Sequence, residues 1–507
     1  MIKINGNTLS LEEIIRVSRS NEKVILDSRC IPLIDRSAQQ VQKILQGNKP
    51  IYGINTGFGI FSNKPISIQD SQKLNRNLIL SHAIGCGDLL PREVIRAAIL
   101  IRANTLAKGF SGARLIIIET LISMLNADLT PVVKSQGSLG SSGDLCMLAQ
   151  LALVFTKDNK DLEEESGKAW LKDELLSGKL AMQKAGIQRI ELGAKEGLAI
   201  INGATFSAAL ASIALWDALN CLSSANSAAS ISLEAIQGRS SAFDPRLQLA
   251  RGLPGQIKIA QEIVENTAGS SLIDHGNQVQ DPYSLRCVPQ VHGAILDALN
   301  SIKEIVQKEI NAATDNPLIF EEDVISGGNF HGESLALNMD FLSIAITELS
   351  AISERRIFLL LDENLNNGLP PMLVDEIKKA GLNSGVMIPQ YTAASLVLEN
   401  RTLSTPDSVQ SLPTSANQED HNANALTAAK HAYEIVKNTF FVIAIELFTA
   451  ARAIEIRMKQ TSKIKLGHGT QKIYQAIRDV SPYHSEDTLW INDIDQIHKA
   501  LLKLEIP

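Results

Sequence analysis

From Glu93 onward the chain is built of apolar residues that recur every three to four positions: EVIRAAILIRANTLA, ARLIIIETLISMLNADL, TFSAALASIALWDALNCL, QVHGAILDALNSIKEIVQKEINAA, ESLALNMDFLSIAITELSAISERRIFLLL and the segment around Phe440. That spacing places the apolar side chains on one face of a helix. Several of these runs far outlast the usual globular helix of about 11–12 residues, which predicts a bundle of long helices. Two stretches, TFSAALASIALWDALNCL from Thr205 and TFFVIAIELFTAARAI from Thr439, are apolar on nearly every side. Asp217 interrupts the first, and Glu446 and Arg452 the second, before about 20 clean apolar residues accumulate. Both read as buried core helices, which need neighbours all round.

Aromatic residues make up only 4% of the chain against 45% apolar, so the core must be mostly Ala, Leu and Ile, which suits helices. The first hundred or so residues differ, with short alternating runs such as VILDSRC and the turn-rich YGINTGFGIFSNKP. The expectation is a mainly α fold, a long central helical bundle with a smaller mixed N-terminal domain. The N-terminal domain is placed at residues 1–110 and the helical bundle domain at residues 111–507. A net charge of −7 with Lys and Arg dispersed argues against nucleic acid or an anionic membrane as partner. Five scattered cysteines without a CxxC pair, and an N-terminus MIKINGNTLSLEE without an apolar signal core, make a reducing cytoplasm the simplest compartment. The nine histidines show no HExxH spacing, so no metal is expected.

The connectors between the helices, among them KSQGSLGSSGD, INGAT, ATDNP, ISGGNFHGE and LNSGVMIPQ, carry few charges and are expected to pack against something. GSLGSSGDLCMLAQ, residues 137 to 150, is the richest of them. Gly143 has the least hindered of backbone nitrogens, and its amide can fold back onto the carbonyl of Ser141. Ring closure with loss of water, the Ser142 hydroxyl included, would turn the backbone into a methylidene-imidazolone, an electrophile no ordinary side chain offers. Taken alone, the same stretch reads more readily as a glycine-rich helix start, with Ser142 or Asp144 capping a helix from Leu145.

Ten stretches in order, YGINTGFG, NLILSHAIGCGD, GSLGSSGDL, KEGLAIINGA, QDPYSLRCVPQVHG, ATDNPLIF, SGGNFHGE, GLPPML, GLNSGVMIPQ and SLPTSANQEDH, resemble the aromatic amino acid ammonia-lyases across nearly the whole chain. The resemblance implies a 4-methylidene-imidazol-5-one formed from Ser141, Ser142 and Gly143, with no external cofactor. The family's first residue there is Ala, and this chain has Ser141. Cys146-Met147 stands where the family has Ala-Pro, INGAT replaces INGTQ, and NANAL follows QEDH. Tyr52 resembles the catalytic base, for which a positive environment at helix N-termini would lower the phenol pKa. Arg286 resembles the clamp for the substrate carboxylate, whose two oxygens suit a guanidinium fork, with Tyr283 near the reacting centre. Asn202 matches the asparagine beside the imidazolone, and Asn329 and Phe330 lie in the matching SGGNF segment.

Substrate choice in the family follows two residues after NLIL. Ser81-His82 resembles the histidine type, and Glu419 stands where phenylalanine enzymes carry Gln. A carboxylate can hydrogen-bond an imidazole N–H but would be desolvated without a partner against a phenyl ring. Met387 matches a residue lining the ring pocket, where a thioether packs on an aromatic. The resemblance therefore implies elimination of ammonia from L-histidine to give trans-urocanate, His82 and Glu419 holding the imidazole, in a homotetramer whose active sites are shared between subunits. Two other readings stay open: a lyase or 2,3-aminomutase for tyrosine or another aromatic amino acid, and a cofactor-less homologue that only binds.

Overall fold

The computed structural model describes residues 1–47, 50–321, 323–461 and 463–506. Among these residues it has eighteen α-helices, and its eleven strands are short, so the fold is mainly α. The predicted runs become the helices Thr205–Ala235, Val288–Glu309, Glu333–Leu361 and Ala425–Gln460, of 31, 22, 29 and 36 residues. Thr205–Ala235 and Glu333–Leu361 are long and apolar enough to cross a membrane, yet 78% and 67% of their most apolar windows lie buried inside the protein. Burial on that scale is what an all-round apolar helix requires in a packed core.

The chain divides into two units, each assembled from three stretches: Met1–Ala214, Lys303–Asp340 and Pro406–Lys430 in the first, and Leu215–Ile302, Phe341–Thr405 and His431–Pro507 in the second. The boundary expected near residue 110 falls inside the first unit. There the helix Leu11–Ser20 packs on Arg92–Ala107, which in turn packs on Leu115–Asn126, so one apolar layer continues through that point.

In the first unit Ser10 and Glu13 form a capping box, the Glu13 amide bonding Ser10 Oγ at 3.2 Å and the Ser10 amide bonding Glu13 Oε2 at 2.9 Å; this satisfies two amides that a helix start leaves free. The strand Ile2–Ile4 lies parallel to Val24–Leu26 with Ile2 opposite Val24, the mixed texture read from the N-terminal sequence. Below the loop 137–144 the support is charged but paired. Lys195 and Asp315, both fully buried, meet at 2.9 Å, and the Ser111 hydroxyl donates to the other Asp315 oxygen at 2.8 Å. Arg102, also fully buried, donates to the Ala199 carbonyl at 3.3 Å and to the Thr205 hydroxyl. Such groups persist in a core only when hydrogen-bonded, and these bonds fix the short helix Glu196–Ile201 and the residues that follow it.

In the second unit the four long helices are cross-linked by one buried network. Glu446 accepts from Arg356 Nε at 2.6 Å and Nη2 at 2.9 Å, from Ser232 at 2.8 Å and from Ser353 at 2.5 Å. His292 continues it, with Nδ1 2.7 Å from Asn226 Oδ1 and Nε2 3.4 Å from Arg356. Those partners fix the neutral tautomer with the proton on Nδ1.

Candidate active site

The glycines of GSLGSSGDL are demanded by geometry at two positions. Gly143 has φ +79° and a Cβ there would sit 2.1 Å from the Gly203 nitrogen; at Gly140, φ +65°, it would sit 2.6 Å from Ala425 Cβ. Only glycine tolerates both the left-handed backbone and the contact. Gly143 pairs with Gly203 in an isolated parallel bridge, and the Asp144 amide donates to the Gly203 carbonyl at 2.9 Å. The INGAT turn thus lies directly on the SSG triplet. Asn202, at the C-terminus of Glu196–Ile201, donates from Nδ2 to the Ser142 carbonyl at 2.6 Å, and its buried Oδ1 has no hydrogen-bond partner among the described residues.

Asp144 does not cap the helix Leu145–Phe155 with its side chain. The carboxylate reaches the start of the next long helix instead, accepting from the Ser207 amide at 2.8 Å and the Ser207 hydroxyl at 3.0 Å, with Ser138 donating at 2.8 Å. Its burial raises its pKa, and the Ser207 and Ser138 bonds oppose that. Asp144 therefore clamps the triplet loop onto Thr205–Ala235, a role that sequence reasoning missed although the residue stands inside the motif.

A cavity of ≈ 1200 Å³ opens over the triplet, lined by Tyr52, Ser81, His82, Ser141, Ser142, Asn202, Phe330 and Glu419 together with Leu198, His331 and His421. The last three were not singled out in the sequence, although all lie within the quoted motifs. His331 and His421 stack with ring centroids 6.1 Å apart, and His331 Nε2 lies 3.2 Å from the His421 carbonyl. Asn329 is exposed and donates to the Ala313 carbonyl at 3.3 Å.

Ser81 and His82 end the helix Ser71–His82, and the Ser81 hydroxyl lies 3.0 Å from His82 Nδ1. A helix C-terminus favours a protonated histidine, but burial prevails and lowers the His82 pKa, with Leu78 and Glu419 opposing it. Glu419 is held by its own loop. Its backbone bridges that of Thr414, whose hydroxyl donates to Glu419 Oε2 at 3.0 Å. Burial also pushes the Tyr52 phenol up, with Glu419 adding to the rise and the Gly59 backbone opposing it. This reverses the depressed phenol expected from sequence, because burial disfavours the phenolate most and the Glu419 charge adds to it.

Tyr283, Arg286 and Met387 belong to the second unit and do not line this cavity. Tyr283 and Arg286 form the short helix Tyr283–Arg286; Tyr283 is 70% exposed and the Arg286 guanidinium lies 4.5 Å from its ring centroid. The buried Arg286 Nε has no hydrogen-bond partner among the described residues. Met387 opens the helix Met387–Leu403, whose Met387, Ile388, Tyr391 and Leu398 are exposed.

Residues 9–479 match the aromatic amino acid lyase family. The chain belongs to that family. It is 48% identical over 496 residues to the histidine ammonia-lyase of Caldanaerobacter subterraneus subsp. tengcongensis, covering 97% of this chain and 94% of the relative. It is 45% identical to the histidine ammonia-lyase of Treponema denticola, covering 97% and 95%. Among solved structures it resembles histidine ammonia-lyase from Trypanosoma cruzi, with TM-score 0.89, 33% identity, and coverage of 100% of this chain and 96% of that one. It also resembles tyrosine aminomutase from Streptomyces globisporus, with TM-score 0.92, 32% identity, and coverage of 100% and 97%. An aromatic amino acid lyase is a carbon–nitrogen lyase, and the substrate question is which ring its cavity accepts.

Proposed function

We propose that the protein eliminates ammonia from L-histidine to give trans-urocanate, and that Ser141, Ser142 and Gly143 cyclise to a 4-methylidene-imidazol-5-one. The observation that carries the substrate is the placement of Ser81-His82 and Glu419 on one cavity with the triplet. The relatives named histidine ammonia-lyase point the same way. What supports the ring is the obligatory glycine at 143, the Asn202 bond to the Ser142 carbonyl, and the buried, unsatisfied Asn202 Oδ1 beside it. The imidazolone supplies an electrophilic methylidene carbon toward the substrate amine.

The chain's own residues do the rest. Thr414 occupies Glu419 Oε2, and the other carboxylate oxygen faces the work of accepting an imidazole N–H. His82, neutral at physiological pH because burial lowers its pKa, holds the ring from the same wall. Tyr52 takes the β-proton as general base. Arg286 clamps the carboxylate with Tyr283 beside it, Met387 packs on the ring, and Phe330 closes the cavity. These roles for second-unit residues fit a homotetramer with shared active sites. The exposed apolar residues Leu337, Phe341 and Ile344, spaced along one helix, and those of Met387–Leu403 support such assembly.

The test pairs intact mass with turnover. The purified chain should weigh two waters less than its sequence and release ammonia from L-histidine faster than from L-tyrosine or L-phenylalanine. Retention of the full sequence mass, or a preference for tyrosine, would reject the reading.

A further inference from the structure

The hydroxyl of Ser141 is 4% exposed with its residue and has two defined partners. It accepts the Ala423 amide at 2.8 Å and donates to the Leu139 carbonyl at 3.2 Å. Ala423 is fully buried, so its N–H needs a protein acceptor. A residue earlier, Asn422 is almost fully buried and holds the segment that carries Glu419. Its amide donates to Ser411 Oγ at 2.7 Å, and its Nδ2 reaches the Leu412 carbonyl, Thr414 Oγ1 at 3.3 Å and the Glu419 carbonyl at 3.4 Å. Thr414 in turn donates to Glu419 Oε2 at 3.0 Å. A continuous path of contacts therefore runs from residue 141 to the Glu419 carboxylate, which lines the same cavity.

We infer that Ser141 is a positioning residue whose side chain ties the cyclising loop to the 411–424 segment and so sets the distance between the reactive triplet and Glu419. The hydroxyl stands outside the atoms that close the ring, so this role is separate from cofactor chemistry. The loop is fastened on its other side as well, where the Gly332 amide donates to the Gly140 carbonyl at 2.9 Å. Without the hydroxyl that second fastening remains, and the Ala423 amide loses its acceptor on the cyclising loop. An alanine at 141 would strand a buried amide, while a threonine would keep the acceptor oxygen.

The inference rests on the reading of residues 141–143 as the cofactor source, and the experiment separates the two. Wild type, Ser141→Ala and Ser141→Thr are compared by intact mass, by amide hydrogen exchange over residues 411–424 in the full-length protein, and by steady-state kinetics with L-histidine. In Ser141→Ala the mass deficit of two waters persists, exchange in 411–424 quickens about tenfold or more, and KM rises by a larger factor than kcat falls. Ser141→Thr restores both. Exchange and KM equal to wild type in Ser141→Ala overturn the inference, and so does loss of the mass deficit in that variant alone, which would make the hydroxyl part of ring formation. Absence of the deficit in wild type refutes the cofactor reading instead, and the exchange comparison still judges the tether.

Discussion

Replacing Glu419 by Gln isolates the charge that selects an imidazole. The substitution keeps shape, and the amide oxygen still accepts from Thr414 in place of Oε2, 3.0 Å away in the wild type. Among the described residues Glu419 Oε1 has no hydrogen-bond partner, so the imidazole N–H becomes its natural donor. A hydrogen bond to a charged group contributes about 1.5–3 kcal/mol and a neutral one about 0.5–1.5. The difference, about 1–1.5 kcal/mol, lowers kcat/KM for L-histidine roughly five- to tenfold. For L-phenylalanine the sign reverses. The wild-type carboxylate meets a phenyl ring with nothing to pair it, and Gln relieves that cost. The expected result is a fall of more than about tenfold in the histidine-to-phenylalanine ratio of kcat/KM. The assay is steady-state release of urocanate and cinnamate, with intact mass as the control for an unchanged cofactor. Equal losses on both substrates would mean that Glu419 only supports its loop, and the charge argument would be refuted.

Tyr52→Phe should keep the mass deficit and lose about 10²–10⁴ in kcat; because burial raises the phenol pKa, wild-type kcat/KM should climb with pH between neutral and 9, and a flat profile would remove Tyr52 as base. Burial and the neighbouring Arg356 hold the fully buried His292 well below the ordinary histidine pKa. Below about pH 6.5 the unfolded chain takes up a proton that the folded chain refuses, so stability falls on acidification by up to about 1.4 kcal/mol per pH unit from this group. Urea midpoints at pH 7 and 5.5 measure it, and His292→Asn should flatten the dependence by close to one proton. Glu446→Gln leaves the fully buried Arg356 unpaired, and breaking such a pair costs about 3–5 kcal/mol; a loss under about 1 kcal/mol on urea unfolding would contradict this account of the network.

The helices and the reactive loop were legible because both are written locally. Apolar spacing marks Glu333–Leu361 and its companions, and glycine at 140 and 143 marks a backbone that no other residue can follow. The legible part of the site is likewise the part carried by contiguous motifs, such as Ser81-His82 and the SSG triplet. What was not legible depends on burial and on distant partners. The Tyr52 pKa is raised first by enclosure and then by Glu419, neither of which residues 52–59 encode by themselves. Asp144 looks like a cap for the helix beginning one residue later, and only the approach of Ser207 redirects it. Residue 110 sits at a change of texture, while helix packing, which depends on distant partners, runs through it.

The contact between Ser141 and Ala423 joins residues 282 positions apart. At about 5–20 residues per second of synthesis, the SSG triplet leaves the ribosome on the order of 15–60 s before the segment that fastens it. During that interval the triplet loop can meet Asn202, Gly203 and Ser207 but not Ala423. The fully enclosed loop becomes available only when nearly the whole polypeptide exists, so an unfinished or truncated copy lacks the enclosure around its reactive residues. Chain order thereby acts as a clock on the site's completion.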